Sequence, residues 1–147
     1  MFKKRLLWIL VMVPLLSDAQ NHGCATVGSS MEVDLLNAVS RDLKIDISNI
    51  QRKKTIVETI DTSPVSRLYA TSLAKIDFQS AITQGKATIS ESAYFDSYYE
   101  NHTQSLTAKY IYISKEMKKD IFIASSLINR DECSVRFNGY ITLSREF

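Results

Sequence analysis

Two cysteines, two histidines and three carboxylates between positions 91 and 100 are the side chains best suited to chemistry in this chain. His102 stands beside Glu100 in the polar stretch Glu100-Asn101-His102-Thr103-Gln104, and a histidine next to a carboxylate can serve as a general base. Such a base needs an oriented neighbour and a site sheltered from water, whereas this stretch reads as the solvated tip of a hairpin. Glu91, Asp96 and Glu100 could supply the carboxylate pair of a glycoside hydrolase. Against that, Asp96 and Glu100 fall on one strand face, and the only tryptophan, Trp8, sits near the N-terminus. Cys24 and Cys133 with His22 and His102 lack the ligand spacing of a zinc site. There is no G-x-S-x-G elbow, H-E-x-x-H pair, phosphate loop or dinucleotide fingerprint, and the whole chain has four glycines. The expectation is therefore a protein that is not an enzyme and uses no metal or cofactor. Asn101-His102-Thr103 also matches the N-glycosylation acceptor pattern.

The cysteines point to a compartment. Residues 1–19 have the form of an export signal: Lys3-Lys4-Arg5, an apolar run over 6–16, then Ser17-Asp18-Ala19 with small residues where a signal peptidase inspects them. The apolar run is well short of the ~20 residues that span a bilayer as a helix. Residues 20–147 are then a single exported domain, periplasmic or secreted. In such a compartment an even cysteine count favours a Cys24–Cys133 disulfide, tying together the two ends of the domain. Gly23-Cys24 also resembles the end of a lipoprotein box, although Asn21 stands where an aliphatic residue is usual. Only acylation of Cys24 would tie the protein to a membrane, and it would leave Cys133 free.

Three of the 18 Lys and Arg and one of the 16 Asp and Glu lie in residues 1–19, so the rest of the chain carries 15 of each and no net charge. That balance gives no support to nucleic-acid or anionic-membrane binding. The runs Arg52-Lys53-Lys54 and Lys118-Lys119 read as solvated turns and strand-edge protection rather than as docking patches.

The elements that must position these groups begin with a helix over about 30–44. Ser29 and Glu32 fit a capping box, and Met31, Leu35, Val39 and Leu43 recur every fourth residue. Everything after it reads as strand: 53–60, a long period-2 segment over 65–79, 87–99, 106–114, 120–128 and 134–144. The expected fold is α+β, one N-terminal helix packed on a curved antiparallel meander of five or six strands, open or closed into a barrel. In a hairpin register pairing Phe95 with Tyr110 and Tyr99 with Leu106, Asp96 meets Lys109, while Tyr94 and Tyr98 share the second face with Ile111.

That second face is the anomaly. Over 134–144 apolar residues alternate with polar ones, placing Val135, Phe137, Ile141 and Leu143 on one side. Over 106–113 and 120–128 both sides are apolar: Ile111 and Ile113 oppose Tyr110 and Tyr112, and Ile121 and Ile123 oppose Phe122 and Ala124. One helix shelters one face only. Three explanations are open: the sheet closes on itself, loops cover it, or the second face meets another protein or a second copy of the chain. Tyrosines suit the last role. The expected binding residues are accordingly Tyr94, Tyr98, Glu100, His102 and Ile111. The expected function is protein binding in the bacterial envelope, as an inhibitor or immunity protein. The alternative is an accessory factor or subunit of a secretion or surface assembly.

Overall fold

The protein is described here by a computed structural model, which covers residues 22–86 and 88–147. The expected signal over 1–19 lies outside the described residues. The first helix, α1 (Ser30–Leu43), runs where its fourfold apolar spacing places it, with Met31, Leu35, Leu36 and Val39 buried. Its capping differs in detail from a capping box. Ser29 donates its hydroxyl to the Cys24 carbonyl at 2.6 Å, and Glu32 accepts from the Gly28 amide at 3.0 Å, one residue before the cap. Lys44 ends the helix in the left-handed region, its ammonium donating to the Arg41 carbonyl at 2.9 Å. That contact satisfies one of the carbonyls a helix terminus leaves without a partner.

Four strands follow: β1 (Ile56–Pro64), β2 (Gln104–Ile113), β3 (Lys119–Ile128) and β4 (Arg136–Ser144). They pair antiparallel in the order β1-β2-β3-β4. The sheet is open, with four strands and not five or six, and it does not close into a barrel. The turn signal over 61–64 lies inside β1, where a bulge between Thr59 and Asp61 and an edge position accommodate Pro64.

The two segments read as further strands are helices, α2 (Arg67–Thr83) and α3 (Glu91–Tyr99), packed together as a hairpin inserted between β1 and β2. The physical signals are visible in retrospect. Ser66 and Ser90 cap the two helices, accepting from the Tyr69 and Ala93 amides at 3.2 Å each. Ala70, Leu73 and Ala74, which are buried, follow the i, i+3, i+4 rule, whereas Leu68, placed inside by the period-2 reading, is 79% exposed. Tyr94–Tyr98 and Phe95–Tyr99 are i, i+4 ring pairs at 6.1 and 5.2 Å. The register pairing Phe95 with Tyr110 therefore does not exist. Tyr110 lies opposite Val57 and Phe122, and Lys109 opposite Glu58 and Ile123.

The main core lies between α1 and one face of the sheet, where Leu106, Ala108, Tyr110, Tyr112, Phe122 and Ala124 meet the apolar stripe of the helix. Tyr110 donates to the Ala25 carbonyl at 2.8 Å. Tyr112 donates to buried Glu32 at 3.5 Å, and Glu32 is also ion-paired with Arg52. Burial first, and the charge of Glu32 second, push both tyrosine hydroxyls far above their ordinary range, so they remain neutral donors. At the start of β3, buried Asp120 accepts from the amides of Glu146 and Phe147 at 2.6 and 3.2 Å, folding the chain back onto the sheet edge. A second, smaller core joins the helical hairpin to the sheet through Val65, Leu73, Tyr98 and Leu127.

Cys24 and Cys133 form the expected disulfide, closing 109 residues of sequence. A loop of that length removes the most entropy from the unfolded chain, about 4–5 kcal/mol on the chain-entropy model. Replacing both cysteines by serine is therefore expected to lower the unfolding free energy by about 3–5 kcal/mol in urea denaturation.

Candidate binding surface

The face of the sheet turned away from α1 is built by the alternation of β2 and β3. Each residue pointing into the core is flanked by one pointing out, and cross-strand partners share a face. On the outward side Ile56 lies opposite Ile111, Ile111 opposite Ile121, and Ile123 opposite Ile141. Ile141 is 63% exposed and Ile56 is 54% exposed, while Ile111, Ile121 and Ile123 are half-buried, largely by one another. Amid these isoleucines Lys109 and Glu58 form a cross-strand ion pair at 2.6 Å. Lys109 thus finds its carboxylate on β1 and not at Asp96.

The expected alternation over 134–144 fails at two bulges on β4, facing Ile121–Phe122 and Ser125–Ser126. Gly139, with φ +103°, sits at the second. The extra residues put Phe137 with the core under α1 and Ile141 on the outward face, so the two do not share a side.

The helical hairpin limits this face at one end. Tyr98, the most buried residue of α3, donates to Asp77 Oδ2 at 2.8 Å. Arg136 at the head of β4 grips the same carboxylate with two hydrogen bonds at 2.6 and 2.9 Å and lies 6.0 Å from the Tyr98 ring centroid. The hydrogen bonds from Arg136 hold the Asp77 carboxyl below its usual range, against a smaller opposing effect of burial. Burial first, then the bond to Asp77, push the Tyr98 hydroxyl far upward. This trio latches α2 and α3 to the sheet and covers Leu127, leaving the isoleucines beyond it uncovered.

The structure separates the five residues expected to form a binding site. Ile111 lies on the uncovered face. Tyr98 lies in the hairpin core, and Tyr94, half-buried on α3, borders a shallow cleft of about 330 Å³ with Asp77 and Ser80. Neither tyrosine shares a face with Ile111. Glu100 and His102 are exposed in the turn from α3 to β2, where Asn101 and His102 both adopt φ 56° and Asn101 donates to Asp131 at 2.6 Å. A cleft of about 530 Å³ between α1 and β4 is lined by Arg41, Asp42, Arg136 and Tyr140, but both arginines are already engaged by aspartates. Among the described residues no group of three His, Cys, Asp or Glu side chains could hold a metal ion.

Ile56 and the Asp77–Arg136 pair were not foreseen. Ile56 belongs to the face only through the β1–β2 register, and residues 77 and 136 meet only once 65–79 is a helix. Comparison with known protein families, with curated proteins and with solved structures finds no match.

Because the folded-state pKa of Asp77 is depressed, its pairing with Arg136 stabilises the fold above the ordinary aspartate range and is lost as pH falls through the lower folded value. Asp77→Asn is expected to cost about 1–3 kcal/mol at neutral pH. It should also flatten the loss of stability below about pH 4, as followed by urea titration across pH.

Proposed function

We propose that the chain is an exported, non-enzymatic module that acts by burying its outward isoleucine face against another protein. A continuous apolar row on an otherwise polar monomer marks a contact surface more often than idle surface. Here the row is uncovered while the opposite face of the same strands is fully sheltered by α1. That contrast carries the reading. The disulfide fits an oxidising compartment, and no described helix is long and apolar enough to cross a membrane. A small inhibitor or immunity protein would use such a face to cover its target. A subunit of a secretion or surface assembly would use it against a neighbour, which is the second reading. Both rest on apolar burial with the Lys109–Glu58 pair setting register, and neither needs a catalytic group.

The test compares two baits against envelope extract. Ile123→Glu combined with Ile141→Lys places opposite charges across the β3–β4 pair, so folding is expected to persist with a thermal midpoint within a few degrees of the parent. The parent bait should retain a discrete protein that the altered bait releases. Equal retention by both would refute the reading.

A further inference from the structure

The two basic runs that look like unrelated turns in the sequence are neighbours in the fold. The Gln51 amide bonds to the Ile113 carbonyl at 2.8 Å, the Lys115 amide bonds to the Asn49 carbonyl at 3.0 Å, and Lys54 Nζ lies 3.6 Å from Met117 Sδ. This places Lys53 and Lys54 beside Lys115, Lys118 and Lys119 at the end of the sheet where β2 turns into β3. All five are exposed, and among the described residues none of their side chains has an ion-pair partner. They outnumber the exposed carboxylates nearby, Asp46, Glu116 and Glu146. The opposite end of the sheet has the reverse character. There Glu100, Asp131 and Glu132 gather against the single base Arg130, brought together by the Asn101–Asp131 bond. The ten-residue strands β2 and β3 hold the two ends about 30 Å apart. The isoleucine face lies between them.

We infer that the partner at the isoleucine face is a second copy of this chain, related by a two-fold axis that runs between the sheets and reverses the strand direction. This rests on the reading of that face as a contact surface. Such an axis lays isoleucine on isoleucine and turns the lysine end of each copy toward the carboxylate end of the other, so both ends are satisfied twice in one dimer. Residues 20–147 carry no net charge, so two copies do not repel at a distance. Face-to-face packing of two sheets at a spacing of about 10 Å is a standard solution for apolar sheet faces. The area clear of the hairpin, about 20 Å by 20 Å, is about half the ~800 Å² per partner of a standard interface, which sets the association in the micromolar range.

Sedimentation equilibrium of the disulfide-bonded protein from about 5 to 500 µM tests this, a range chosen to bracket that affinity. The parent should pass from monomer to dimer. Ile123→Glu should weaken the dimer about tenfold or more, and so should either Lys115→Glu with Lys118→Glu or Glu100→Lys with Glu132→Lys, by creating like-charge contacts. Mixing the two charge-reversed proteins should restore parental affinity, because both end contacts are again opposite in sign. That rescue does not depend on how Ile123→Glu folds. A parent that stays monomeric throughout would overturn the inference, and so would one that stays monomeric but sediments with phosphatidylglycerol vesicles. In either case a difference between the two baits would leave the protein-contact reading standing. A dimer indifferent to Ile123→Glu and to charge reversal would place the contact elsewhere and overturn the inference too.

Discussion

A four-strand sheet with apolar side chains on both faces needs cover on both, and this chain supplies one full layer. Helix α1 lies across the face that carries Tyr110, Tyr112 and Phe122, all fully buried. The helical hairpin reaches only the other face's far end, over Leu127. Burying apolar surface is worth about 25 cal/mol per Å², so isoleucines left against water are a standing drive toward contact. The open edges of β1 and β4 do not relieve it, because the sheet bulges and twists at its edges instead of closing. The direction of that drive, outward from a well-filled monomer, is what makes the protein a binder in this reading.

Three carboxylates hold the peripheral segments to this sheet, each by a different means. Glu32 joins the loop before α1, Arg52 and Tyr112. Asp120 captures the backbone of residues 146 and 147. Asp77 receives Arg136 and Tyr98, and so fixes the hairpin. Each acts where apolar cover is thin, and a paired acid adds directionality that apolar packing lacks. The disulfide works at longer range, tying the turn before α1 to the β3–β4 connection.

Legibility followed the strength of local pattern. Helix α1 was readable because its apolar stripe is strictly periodic, and β2 and β3 because β-branched and aromatic residues fill both their faces. Helices α2 and α3 were not. Their apolar residues are sparse, Leu68 and Ile76 point to solvent, and Tyr, Phe and Thr favour strands when counted without regard to spacing. Ser66, Ser90 and the four-residue spacing of Tyr94–Tyr98 and Phe95–Tyr99 carried the helical signal. The anomaly of the doubly apolar strands survived this error, since it belongs to β2 and β3 themselves.

Composition and periodicity were enough to establish the α1 helix, the apolar character of both sides of the central strands and the pairing of the two cysteines, because each is a property of neighbours along the chain or of a simple count. Whether the second face was sheltered depended on where the helical hairpin came to rest, and that follows from the meeting of Asp77, Tyr98 and Arg136 across 59 residues of sequence. The gathering of Lys53 and Lys54 with Lys115, Lys118 and Lys119 likewise came from strand register and the turn that follows it. Long-range pairing brings such groups together at a loop-closure cost set by the whole topology, and no local pattern records it.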